Sequence, residues 1–426
     1  MPEQHPIHPG SVSPVAAAGG ERLIIAINGG SSSIKFAGFT ASPQPQRQFG
    51  GQVERLGHSD ARVAAASIPG VTSEEQSIEV PSADQLAQRL ISDLRLRIGG
   101  RPVAGIGHRV VHGGVHGLDH QRITPNLLAE LRQTIPLDRA HAPREIALIE
   151  ASTAAFPAIP QVACFDTAFH RDLPPVARLL PIPRHFLNAG VRRFGFHGLS
   201  YTYLMQRLAE LDGPQAANGR VILAHLGSGA SMVAVRAGKP VDTTMGFTPT
   251  SGLVMGTRPG DLDPGLLAYL IRAQRMSPDA LEKFVSEQCG LLGISETSSD
   301  MRDLLGRRAT DPRAAEAVDL FCYQAKKFVG ALHAALGGLD TLVFSGGIGE
   351  HAPEARAGIC EGLDCLGVQL DPVRNATGQP IISASTSRVV VRVIATDEEL
   401  VIAQLCLRLM ALGADAPKRA DHPSIP

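Results

Sequence analysis

Three glycine-rich turns place backbone amides where phosphate oxygens can be cradled: Gly29-Gly30, Gly227-Ser228-Gly229 and Gly346-Gly347-Ile348-Gly349. Each follows an apolar run, so each sits where a buried strand ends and exposed N–H groups begin. A single turn of this kind reads equally well as an ordinary hairpin. Three of them, with Lys35 just after the first and acidic residues near the others, point to a nucleotide cleft. None matches the pattern GxxxxGK[ST], and none is a GxGxxG followed by a ribose-binding acid, so P-loop and Rossmann readings recede.

A second spacing is a decoy. His108, His112, His116 and His120 recur every four residues and would form a metal ladder on a helix. Gly113, Gly114 and Gly117 argue against a helix there, so the four are not read as ligands.

The turns need strands to hold them. LIIAINGGSSSIKFAGF and RVILAHLGSGASMVAVRAGKPV each read as strand, turn and strand, and the likeness of the two hairpins suggests a weak internal repeat. Pro81 to Ile98, Pro125 to Ile135, Pro264 to Arg275 and Ala314 to Leu336 carry apolar residues at helical spacing, with Thr124 as the cap before Pro125. PQVACFDTAF reads as a strand, and the proline-rich DLPPVARLLPIPRHF as a loop between halves, giving a boundary near His170. TLVFSGGIGEHAPEARAGI is a strand, a glycine turn and a helix. RVVVRVIATDEELVIAQLCLRLMAL adds a strand and a closing amphipathic helix that would return to the first half.

At 426 residues and 44% hydrophobic, the chain can bury more than one core. A formal net charge of −1 offers no global field for nucleic acid or an anionic membrane, so phosphate recognition must be local. Six scattered cysteines without metal spacing read as reduced thiols of a cytoplasmic protein. Residues 1–20 lack a basic start and an apolar stretch long enough for a signal peptide, and read as a disordered tail.

The segments NGGSSSIKF, GHRVVHGG, CFDTAFH, FGFHG, HLGSGAS, DTTMGFTPTSGLVMGTRPGDLDP, GLLGISETSSDMRDL, FSGGIGE and TDEELVIAQ, in this order, resemble the motif set of the acetate kinase family from about Leu23 to Leu412. The resemblance implies an α/β fold of two ribonuclease-H-like, actin-like ATPase domains around an ATP cleft. The domains would be 21–170 plus 400–413 and 171–399, with a further tail at 414–426. It implies reversible phosphoryl transfer from ATP to acetate, with propionate or butyrate as alternatives, a magnesium ion that manganese can replace, and a homodimer. A non-catalytic ATP-dependent switch is the rival from another class, and it has no use for Arg109, Arg258 and His197 together.

Carried over by residue, the resemblance makes Asn28 and Glu398 the magnesium site and Lys35 the nucleotide-phosphate lysine. Arg109 becomes the carboxylate clamp, and Arg258 with His197 the stabilisers of the migrating group. Asp166 matches the residue usually assigned a proton role. A carboxylate with a pKa of roughly 4 to 5 is already ionised at neutral pH, so orienting Arg109 or the magnesium waters is the more economical task for it. Val111, Ala140, Phe196 and Pro249 would surround the acyl group. His225, Leu226, Gly227, Ser228 and Gly229, then Asp300, Met301 and Arg302, then Gly347, Ile348, Gly349, Glu350 and His351 would contact ATP. Ser228 and His351 stand where the family has asparagine, and Ala140 where it usually has leucine.

Overall fold

The computed structural model describes residues 21–30, 33–54, 62–65, 74–77, 83–114 and 119–411. Both tails and His116 lie outside them.

Each expected hairpin seeds a sheet, and the two sheets share one topology. In the first, β1 (Leu23–Gly29), β2 (Ser33–Thr40), β3 (Arg47–Glu54), β6 (Val103–Val110) and β8 (Gln161–Phe165) run in the order β3-β2-β1-β6-β8. β1, β2 and β3 pair antiparallel, whereas β1, β6 and β8 are parallel. β4 (Arg62–Ala65), β5 (Glu74–Ser77) and β7 (Gln121–Arg122) extend the edges. The second sheet orders β9 (Arg220–Leu226), β10 (Ala230–Arg236), β11 (Lys239–Thr243), β12 (Thr341–Ser345) and β13 (Val390–Val393) as β11-β10-β9-β12-β13. Its antiparallel and parallel pairs fall in the same places. Two copies of this three-antiparallel, two-parallel sheet are the ribonuclease-H-like pair expected above.

Strand alternation sends successive side chains to opposite faces. Leu23, Ile25 and Ile27 pack with Leu86, Leu90 and Leu94 of the helix Ala83–Ile98. Ile24 and Ala26 pack instead with Ile402 and Cys406 of the helix Glu398–Ala411. In the second sheet, Ile222, Ala224 and Phe344 meet Phe321 and Val329 of the helix Pro312–Leu336. Val221, Leu223 and Val343 meet Tyr201, Leu204 and Leu208 of the helix Gly198–Asn218. The closing helix approaches closely because β6 carries Gly105 and Gly107. A Cβ on either would lie 2.2 Å from Met410 Sδ or 2.4 Å from Ile402 Cγ2. That contact sets where Glu398, the first residue of the helix, enters the site.

The helices Ala142–Ala155 and Gly198–Asn218 escaped the periodicity reading, and the segment read as a proline-rich loop contains short helices at Pro175–Arg178 and Arg184–Asn188. Gly213, with φ +81°, and Pro214 kink the Gly198–Asn218 segment near its end. No helix among the described residues is long and apolar enough to cross a membrane.

Candidate active site

The ends of the central strands of both sheets converge on a cavity of about 330 Å³. Asn28 is the penultimate residue of β1 and pairs in register with Lys35 on β2. Arg109 lies near the end of β6, and Asp166 directly follows β8. From the other side come His225 near the end of β9, the turn Gly227 to Gly229, and Gly346-Gly347 after β12. Ligands of open α/β sheets bind at such carboxyl ends.

Arg109 is the hub of the first side. Its Nε and Nη2 donate to Asp166 Oδ2 at 3.0 and 2.6 Å, while Nη1 makes longer contacts of 3.3 Å with Asn28 Oδ1 and the Gly29 carbonyl. Side-on pairing through Nε and Nη2 leaves the outer edge of the guanidinium weakly engaged, where a second carboxylate can be held in a fork. Burial raises the pKa of Asp166 against the pull of Arg109, with Glu398 adding to the rise. Burial works against the charge on Arg109, but Asp166 and Glu398 overcome it, and the guanidinium stays protonated.

Asn28 Nδ2 donates to Glu398 Oε2 at 2.9 Å and to Glu399 Oε1 at 2.7 Å. Burial opposes the charge on Glu398, yet Arg109, His225, the Asn28 hydrogen bond and Lys35 together hold its carboxyl below the ordinary range. An ionised carboxylate, Glu398, and the neighbouring carboxamide of Asn28 therefore line the cavity together. A carboxylate and an amide suit a magnesium ion that keeps most of its waters.

On the opposite side His197 caps the helix Gly198–Asn218 with a left-handed φ of +58°. Its Nδ1 lies 2.8 Å from Ser231 Oγ, and its ring sits 4.4 Å from that of His225. Burial drives its pKa well down, and His225, Arg109 and Arg258 add to the effect, so the ring is neutral. Arg258 donates from Nη1 to the Pro249 carbonyl at 2.5 Å. Burial lowers its pKa to about 10, partly opposed by Asp138, so it remains a cation at neutral pH. A Cβ on Gly229 would stand 2.8 Å from Arg258 Nη2 and 3.4 Å from His197 Nε2. The bare glycine lets both side chains reach the same point.

The model of the Acetokinase family matches residues 23–404. The chain belongs to the acetokinase family. It is 46% identical over 411 residues to the acetate kinase of Nitrobacter hamburgensis, covering 94% of this chain and 99% of that one. Among solved structures it resembles the acetate kinase of Porphyromonas gingivalis, with 34% identity and a TM-score of 0.80 over 91% of this chain and all of the other. A propionate kinase of Francisella tularensis gives 35% identity and 0.83 at the same coverage. Membership makes the chain a kinase that works between ATP and a short carboxylate.

Most residues that the family resemblance singled out do line the cavity, including Val111, Phe196, Pro249, Ser228, Gly347, Glu350 and His351. Ala140 does not. It is exposed in the turn before His141 and faces a neighbouring cavity of about 870 Å³. His141 turns inward instead, its Nδ1 2.7 Å from Asp138 Oδ1. Leu226, Ile348 and Gly349 are absent from the lining, Leu226 because it is buried in β9. Asp300, Met301 and Arg302 also stand outside it: Asp300 caps the helix Met301–Arg307 and pairs with Arg302 at 2.6 Å, and Met301 is buried. Glu350 turns its carboxylate inward, accepting from Gly346 N at 2.9 Å and Thr396 N at 3.3 Å.

The three described histidines of the four-residue series have structural partners. His108 lies in β6 with Nε2 2.7 Å from Gln161 Oε1, His112 packs edge-on against Phe194, and His120 Nδ1 accepts from Phe165 N at 3.0 Å. Glu399, Ser231, Tyr201 and Thr396 were not singled out. Glu399 was legible in principle, since it adjoins Glu398 in TDEEL and faces the same asparagine.

Proposed function

We propose that this kinase phosphorylates acetate, converting ATP and acetate into ADP and acetyl phosphate reversibly. The observation that carries the reading is a single cavity entered by two partly buried arginines from opposite sides, Arg109 beside Asp166 and Arg258 beside His197. Two anions must meet for the reaction, and each guanidinium suits one of them.

Arg109 holds the carboxylate in its outer fork, with Asp166 fixing the guanidinium plane. Lys35 and the amides of the glycine turns take the nucleotide phosphates. A carboxylate oxygen forms a bond to the γ-phosphorus as the bond from that phosphorus to the bridging oxygen breaks, and ADP leaves with the electron pair. No proton changes hands. Arg258 and the neutral His197 donate hydrogen bonds to the equatorial oxygens, so catalysis is positioning and electrostatic stabilisation of a loose transition state. Glu398 and Asn28 would hold magnesium, or manganese in its place, which when bound neutralises phosphate charge.

Division into 21–170 plus 400–413 and 171–399 is supported by the closing helix packing on the first sheet. A homodimer is supported by the helix Pro264–Ala273, which is strongly apolar yet has no buried residue, with Tyr269 56% exposed. A cytoplasmic location fits the six free cysteines.

Propionate is the second reading, since the relatives include a propionate kinase of Citrobacter rodentium at 40% identity. Trapping the acyl phosphate with hydroxylamine during steady-state turnover of acetate, propionate and butyrate tests both readings. The highest kcat/KM is expected for acetate, a propionate optimum moves the assignment to the second reading, and no ATP-dependent hydroxamate from any of the three refutes both.

A further inference from the structure

We propose that Tyr201 and Ser231 are positioning residues that fix His197 as the tautomer carrying its proton on Nε2. The proposal rests on the reading of His197 as a donor to the transferring phosphoryl group.

The three groups form a buried chain. Tyr201 stands in the first turn of the helix that His197 caps, and its backbone N donates to the His197 carbonyl. Ser231 comes from β10, and its Oγ lies between His197 Nδ1, at 2.8 Å, and the Tyr201 hydroxyl, to which it is hydrogen-bonded. Tyr201 and Ser231 are fully buried. The other end of the ring, Nε2, faces Gly229 and the cavity beside Arg258.

Counting protons decides the direction. Ser231 has one hydroxyl proton and two neighbours. If the tyrosine donates to Ser231, the serine donates to Nδ1, and Nε2 must carry the ring proton. Every hydrogen in the chain then has an acceptor, the last facing the site of phosphate oxygens. In the reverse direction Nδ1–H donates to Ser231, Ser231 donates to the phenol oxygen, and the tyrosine proton is left buried with no acceptor. Such a group costs its full desolvation. The reverse also turns an Nε2 lone pair toward an anion.

Burial raises the pKa of Tyr201, so the phenol keeps its proton, as a chain of neutral hydrogen bonds requires. The His197 backbone is pinned as well, because a Cβ on the following Gly198 would fall 2.0 Å from the Asp166 carbonyl. The relay therefore sets ring chemistry on a fixed frame. The product is a neutral, pre-aimed N–H donor that takes part in no proton transfer.

Nitrogen-15 NMR of the histidine rings in the full-length protein tests this directly. Wild-type His197 is expected to show a protonated, pyrrole-type Nε2 and a pyridine-type Nδ1. Protonated Nδ1 would overturn the relay and with it Nε2 as a neutral donor. In Tyr201→Phe, Ser231 is free to donate or accept, so the ring nitrogens should shift toward a mixture of tautomers. kcat should fall about tenfold, with KM for carboxylate and nucleotide within about twofold of wild type. An unchanged tautomer and an unchanged kcat in that variant would also overturn the proposal. Separately, a His197→Ala protein with wild-type kcat would refute the reading on which the proposal rests.

Discussion

Arg109 binds Asp166 through one oxygen only: Nε and Nη2 both reach Oδ2, at 3.0 and 2.6 Å, while Oδ1 is buried without a partner. The pairing occupies the side edge of the guanidinium and fixes its plane, which supports the proposal that Asp166 orients Arg109 rather than acting as a base. Asp166→Asn keeps the shape but exchanges a carboxylate for an amide, so the arginine loses its charged anchor. The carboxylate KM is expected to rise about tenfold or more, with loss of kcat and no recovery on adding small exogenous bases. Arg109→Lys should restore little, because one ammonium cannot serve Asp166 and the substrate at once. Rescue of Asp166→Asn by an exogenous base would restore the proton role.

Gly229 separates function from folding. An added methyl would press on Arg258 Nη2 at 2.8 Å, a movable side-chain end, and come within 3.4 Å of His197 Nε2. Gly229→Ala should therefore cost less than about 1 kcal/mol of stability while lowering kcat about tenfold or more. Arg258→Ala should also act on kcat well beyond KM, since its contact strengthens as the phosphoryl group moves. Thermal unfolding beside steady-state kinetics checks the pair, and a glycine variant with normal turnover would show that the two groups do not converge on the reacting atoms.

Much of this was legible in the chain because glycine turns and strand alternation are local signals. LIIAINGGSSSIKF states its hairpin through apolar runs on both sides of the turn, and the second hairpin repeats it. The convergence of the two sheets was accessible only through resemblance, since the Asn28 contact with Glu398 spans 370 positions. Ala140 is the position where transfer by motif is weakest, since its neighbours differ from the family pattern and it lines the adjoining cavity rather than the one that holds Val111 and Phe196. The helix Gly198–Asn218 is legible in principle, since Leu199, Tyr201, Leu204 and Leu208 recur at helical spacing before the kink at Gly213.

His108 and His170 make stability depend on pH. Each is 2% exposed and each has an unpartnered Nδ1, so protonation would bury an N–H without an acceptor. Burial lowers both pKa values to about 4, against the raising effect of the Gln161 side chain on His108 and the Phe196 carbonyl on His170. The unfolded chain takes up these protons near pH 6.5, and the native protein does so only near 4. Folded pKa values below unfolded ones mean stability is complete above about pH 6.5 and lost as the pH falls toward about 4. The two groups together should remove about 2 to 3 kcal/mol between about pH 7 and about pH 5.5. Burial shifts Asp166 and Glu145 upward, with the opposite sign, so urea unfolding should be read alongside ring-proton titration. Either imidazole titrating near pH 6.5 in the native protein would remove its share.

Acyl selection should rest on Val111, Phe196 and Pro249, not on Ala140. Val111 is 2% exposed, its backbone N is held by Glu145 Oε1 at 3.0 Å, and its side chain lines the small cavity beside Phe196. Ala140 faces the larger neighbouring cavity and is exposed. Val111→Ala removes two carbons from the wall, and one buried methylene is worth ~0.8 kcal/mol, or about fourfold in kcat/KM. The propionate-to-acetate ratio of kcat/KM should therefore rise about three- to tenfold in Val111→Ala. Ala140→Leu, which would refill a leucine wall if that position faced the acyl group, should change the ratio by less than about twofold. Measuring both ratios distinguishes the two placements. A Val111→Ala protein with an unaltered ratio, or an Ala140→Leu protein that selectively loses propionate, would return the acyl wall to the turn before His141.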